Sequence, residues 1–143
     1  MSERDSRYDI LFEPIQIGPV KMKNRFYVAP HADSFGMGKM DEMIAYRKAR
    51  AEGGWGAVCT GETMIHETSD HAPFVCTRLS SDEFIEPMSR LTSALHDQGS
   101  LAGVELAHLA RPGRIVSILY HPLRSSLACT ITQSQPGKWT KKT

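Results

Sequence analysis

Three short apolar runs, at 25–28, 55–60 and 101–106, alternate with helix-length segments that each end in glycine. Strands separated by helices with short returns run parallel and are joined by right-handed crossovers. The first run stops at Ala29-Pro30, because proline has no N–H to give to a ladder. Residues 41–52 read as a helix with Met40, Met43 and Ile44 apolar and Gly53-Gly54 as the stop; Arg47 and Lys48 interrupt the stripe. The second run, Trp55 to Thr60, is a buried strand. A second helix follows, with Ser80-Ser81-Asp82-Glu83 as a capping turn, Pro87 at its start and Met88, Leu91 and Leu95 at helical spacing up to Gln98-Gly99. Gly18-Pro19 sits between two short extended pieces and predicts a small hairpin. The pattern is α/β. Taken alone it fits both an open doubly wound sheet and part of a (β/α)₈ barrel. No G-x-G-x-x-G follows the first strand, which argues against dinucleotide binding there.

A chain of 143 residues is enough for one domain and one core. A net charge of +1 predicts no electrostatic attraction to nucleic acid or to an anionic membrane. No stretch approaches the roughly 18 apolar residues of a membrane span, and the polar start Met1-Ser2-Glu3-Arg4-Asp5 shows no signal peptide. A cytoplasmic protein is the expectation. Cys59, Cys76 and Cys129 are odd in number and form no C-x-x-C pair, so neither a disulfide framework nor a metal site is expected. Residues 61–80 form a long polar connection, a length that in a compact domain usually signals function.

Four segments carry a family likeness: Asn24-Arg25-Phe26-Tyr27-Val28-Ala29-Pro30-His31, Ala51-Glu52-Gly53-Gly54-Trp55-Gly56-Ala57-Val58, Thr60-Gly61-Glu62-Thr63, and Ala102-Gly103-Val104-Glu105-Leu106-Ala107-His108. In this order they resemble the old yellow enzyme family (NADH:flavin oxidoreductase / NADH oxidase N-terminal type), in its trimethylamine dehydrogenase / N-methylproline demethylase-like subgroup. The resemblance covers about residues 8 to 110. It implies the N-terminal part of a TIM (β/α)₈ barrel, about three βα units and hence incomplete, with FMN at the C-terminal strand ends. It also implies a flavin oxidoreductase that oxidises or demethylates amines or reduces enones, acting on a small molecule and forming a homo-oligomer in its full-length form.

By position, Ala29, Pro30, His31 and Ala32 are expected along the flavin ring, Glu62 near it, and Glu105 at its pyrimidine edge. His108 is expected toward the substrate. Ala32 stands where trimethylamine dehydrogenase carries its flavin-bonded cysteine, so FMN here is expected to be non-covalent. Glu62 replaces an aromatic residue that encloses the substrate cation there. An iron–sulfur cluster and NAD(P)H or FAD belong to full-length relatives, and no ligands for them are visible here. The ordinary readings stand beside these. Pro30 ends a strand, His31 and His108 are loop histidines, Glu105 pairs with Arg25, and Glu62, Asp70 and His71 sit in a solvated loop. Cys59 is read as a small buried apolar residue.

The expected organisation is a flexible lead-in at 1–9, a partial flavin-binding barrel at 10–110 and a non-family tail at 111–143. The tail shows no fourth strand followed by a helix. Read from the third base of each codon, Val116-Ser117-Ile118-Leu119 can yield the Leu-Tyr-Ser of relatives. The same offset takes Lys138-Trp139-Thr140-Lys141-Lys142 to Met-Asp with suitable codons, so an out-of-frame, poorly ordered tail is expected. Three strands cannot close a barrel, and the third would present an open parallel edge. The phosphate loops of such barrels follow strands seven and eight. This chain is therefore expected to hold FMN poorly and to be inactive on its own.

Overall fold

The computed structural model describes residues 5–67, 69, 76–108 and 128–132. A hairpin of β1 (Ile15–Ile17) and β2 (Val20–Met22) precedes the first parallel strand, β3 (Tyr27–Val28). Then come α1 (Met40–Glu52), β4 (Ala57–Met64), the short β5 (Thr77–Arg78), α2 (Ile85–His96), β6 (Leu101–Ala107) and β7 (Ala128–Thr132). The main sheet runs β3-β4-β6-β7. Strands β3, β4 and β6 are parallel, and β5 pairs in parallel with the end of β4. Among the described residues these are the first three parallel strands and the first two crossover helices of a partial (β/α)₈ barrel.

Alternation along the strands separates two faces. Val58 and Ala102 pack with Met43, Leu91 and Leu95 of α1 and α2, forming the larger core. Full burial of each such leucine stabilises by about 1.5–3 kcal/mol. The hairpin residues Val20 and Met22 close the opposite end of the sheet against Ala57 and Leu101. Cys59 and Gly103 face away from the helices, on the surface a closed barrel would turn inward. They are register partners, and the Cys59 sulfur fills the space a side chain at 103 would need. Tyr27 Oη lies 3.0 Å from the same sulfur.

Several expectations change. The segment expected as a lead-in holds a 3₁₀ helix, Ser6–Phe12, which Asp5 caps through the Arg7 N–H. The second helix starts at Ile85, behind a 3₁₀ turn over Asp82–Phe84, so Pro87 falls inside its first turn. The second strand runs on through Met64, so Glu62 is a strand residue and not part of a solvated loop. This polar stretch can be a buried strand because its hydroxyls satisfy one another: Thr63 Oγ1 lies 2.7 Å from Thr77 Oγ1 and 3.2 Å from Thr60 Oγ1. The edge of the third strand is covered: β7 pairs antiparallel along it, from Leu106↔Ala128 to Ala102↔Thr132. Asp70, His71 and the remainder of the 111–143 tail lie outside the described residues.

A side chain at 103 has nowhere to go, because Cys59 is fully buried. Gly103→Ala should cost about 1–3 kcal/mol in urea unfolding. Combining it with Cys59→Ala should return part of that loss. Strict additivity of the two substitutions would refute the contact.

Candidate functional site

The C-terminal ends of the three parallel strands form one rim. Between Cys59 and Glu62 the β4–β6 register shifts, so that Thr60 and Gly61 together oppose Val104. This bulge keeps Cys59 and Glu62 on the same face although they are three residues apart. The Glu105 N–H donates to Thr60 Oγ1 at 3.3 Å, and Thr60 Oγ1 donates to the Gly61 carbonyl at 2.8 Å. Beyond the bulge, Glu62 and Glu105 are register partners, a strand spacing apart and both half-buried.

Burial, and then the neighbouring Glu62 charge, push the Glu105 carboxyl above its ordinary pKa. The expected ion pair with Arg25 is not the arrangement found, since Arg25 Nε donates to the Ile10 carbonyl at 2.8 Å. Among the described residues no ion pair reaches Glu105. Cys76 Sγ lies 3.9 Å from Glu62 Oε2, and burial followed by that carboxylate raises its thiol pKa. Neither Cys59 nor Cys76 is in a disulfide.

The loop after β3 crosses the rim beside these carboxylates. Ala29 and His31 are exposed, and Pro30 and Ala32 are half-buried. Gly61 is what allows the approach: a Cβ there would stand 2.6 Å from the His31 carbonyl oxygen and 2.9 Å from Ala32 Cα. Ala32 and Glu62 line one small pocket with Gly61, Cys76 and Arg47. His108 directly follows β6, and its ring meets that of His66 edge-on, with centroids 5.9 Å apart. The structure thus brings the His31 backbone and Ala32 to Gly61 and Glu62, with Glu105 as the register partner of Glu62; Ala29 and Pro30 lead into that contact from β3, and His108 directly follows β6.

Arg47 belongs to this neighbourhood, although in the sequence alone it is only a break in an apolar stripe. Met40, Met43, Arg47 and Ala51 share the buried face of α1. Their spacing of three and four is the signal that places this charge inward. Its Nη2 bonds Asp33 Oδ2 at 2.5 Å and the His31 carbonyl at 3.1 Å, and its Nη1 donates to the Cys59 carbonyl. Burial lowers its pKa, and the Asp33 carboxylate opposes that shift.

The donor set suits a flat heteroaromatic ring with a polar edge. Small side chains and a proline present a low surface. A carboxyl with a raised pKa on a rigid strand can accept a ring N–H or, when protonated, donate to a ring carbonyl. Among the described residues no group of three His, Cys, Asp or Glu is placed to hold a metal, and no helix is long and apolar enough to cross a membrane.

Comparison with known proteins adds to this geometry. The model of the NADH:flavin oxidoreductase / NADH oxidase family matches residues 10–128. A solved 6-hydroxypseudooxynicotine amine oxidase from Pseudomonas geniculata N1 is 67% identical with a TM-score of 0.70, over 74% of this chain and 16% of that one. Histamine dehydrogenase from Rhizobium sp. 4-9 is 44% identical with a TM-score of 0.70, over 73% of this chain and 16% of that chain. Dimethylamine dehydrogenase of Hyphomicrobium sp. (strain x) is 38% identical over 103 residues, 72% of this chain and 14% of its own length. The chain therefore spans about a sixth of these relatives.

A raised Glu105 pKa means that the folded chain holds this proton more tightly than the unfolded one. Its contribution to stability is intact below the ordinary value of 4.5 and is lost as pH rises through the raised value. Glu105→Gln should therefore raise the melting temperature at neutral pH and do so less in buffer below that value. Equal gains in both buffers would refute the assignment.

Proposed function

Since the chain belongs to the NADH:flavin oxidoreductase / NADH oxidase family, we propose that its rim is the three-strand share of a non-covalent FMN site in an amine-oxidising flavoprotein. The carrying observation is the Glu62–Glu105 carboxylate pair beside the Ala29–Ala32 loop. When bound, FMN would take up a hydride equivalent from substrate and pass it on.

The chain's own residues would do the holding. Pro30 to Ala32 would floor the ring, and Glu105 would meet its polar pyrimidine edge. Ala32 offers no sulfur for a covalent link, so packing and hydrogen bonds alone would retain the ring. Glu62 adds a negative charge in a partly desolvated position, where it can orient a protonated amine. The three relatives named above are an amine oxidase, a histamine dehydrogenase and a dimethylamine dehydrogenase, which supports an amine over an enone.

A second reading is a remnant indifferent to FMN. It is favoured by β7, which lies antiparallel where a closed barrel would place a parallel fourth strand. FMN titration of the 143-residue chain separates the two. The first reading expects a saturable shift of the visible flavin band with a Kd of about 0.1–1 mM, because the ring would be gripped without its phosphate loops. No shift favours the remnant.

Substrate class is tested in a chimera carrying residues 10–108 of this chain in the corresponding part of the Pseudomonas geniculata amine oxidase. Glu62→Gln there should raise the amine KM about tenfold, the scale of one hydrogen bond to a charged group. An unchanged KM in a folded, FMN-loaded chimera would remove the amine assignment.

A further inference from the structure

Arg47 is 1% exposed and carries a charge that α1 does not need in order to pack. Its neighbours on the buried face, Met43 and Ala51, do that with apolar groups. Burying a guanidinium is costly, and a well-packed hydrophobic residue in its place is often neutral or stabilising. Its Nε is also buried without a hydrogen-bond partner among the described residues, so the side chain is incompletely satisfied where it stands. Something other than stability accounts for the charge.

Its contacts show what that is. Arg47 rises from the helical layer and grips three points of the rim at once: the Cys59 carbonyl on β4, the His31 carbonyl, and the Asp33 carboxylate on the loop. The Cys59 carbonyl lies just before the bulge that turns Glu62 toward Glu105. His31 is the residue whose carbonyl presses on Gly61. A planar, five-donor fork can span these acceptors, whereas an ammonium meets them as a single point.

We propose that Arg47 is the positioning residue of this site: it sets the height and tilt of the Pro30–Ala32 loop over the strand ends. The inference rests on the flavin reading for its purpose. It rests on the structure alone for its mechanics.

The test uses the 143-residue chain and the double variant Arg47→Met/Asp33→Asn, which removes both charges together. The melting temperature should stay level or rise. Backbone ¹⁵N order parameters from Ala29 to Phe35 should drop below about 0.6, the range of a flexible backbone, while those of α2 hold. FMN should bind at least fivefold more weakly, and Arg47→Lys should fall between the two.

A folded double variant with unchanged order parameters in the loop overturns the proposal. So does a loss of order spread equally over the loop and α2, which would make Arg47 a general structural element. If the double variant does not fold, Arg47→Lys is judged by the same two criteria. If wild-type protein ignores FMN while the loop still loosens in the variants, the flavin reading fails and the positioning role stands.

Discussion

The bulge at Thr60-Gly61 is the constraint on which the rest of the rim depends. One extra residue in β4 turns Glu62 onto the face of Cys59, Gly103 and Glu105. Without it, strict alternation would send Glu62 to the helical side, into the apolar layer of Met43, Leu91 and Leu95. The bulge leaves backbone groups off the ladder, and the Thr60 hydroxyl takes up the Glu105 N–H. Gly61, the second residue of the bulge, leaves the room that the His31 backbone occupies. A single local irregularity thus places the carboxylate and admits the loop.

Apolarity made part of this legible in the sequence. Ala57 to Cys59 and Leu101 to Val104 are strands because little else can be done with short apolar runs between helices. Met88, Leu91 and Leu95 revealed α2 by their period. The polar stretch from Thr60 to Met64 was not legible as strand, because its burial depends on partners distant in sequence such as Thr77. Arg47 was hidden for a related reason. A charge on an apolar stripe looks like a defect until its acceptors on the loop and on β4 are in place.

The site was legible mainly through resemblance. Composition and period say nothing of why Ala29 to Ala32 should matter, whereas four family segments in order single out that loop and the two glutamates. Geometry then adds what a resemblance cannot. Glu62 and Glu105 are neighbours, and their proximity contributes to the raised Glu105 pKa. The β-branched Thr130, Ile131 and Thr132 favour a strand, but the antiparallel pairing of β7 was not legible, because it depends on the free ladder that β6 offers. An edge of that kind is a template, and pairing with the chain's own residues covers it.

The central claim is that one rim, built by the loop after β3 and by two glutamates on adjacent strands, receives the flavin ring. Backbone amide shifts of ¹⁵N-labelled protein, followed while FMN is added, test it most directly. The expected result is a set of saturable changes confined to Ala29, His31, Ala32, Gly61, Glu62 and Glu105, with α2 unmoved. Changes centred on α2 or on the β1–β2 hairpin, with the rim silent, would contradict it.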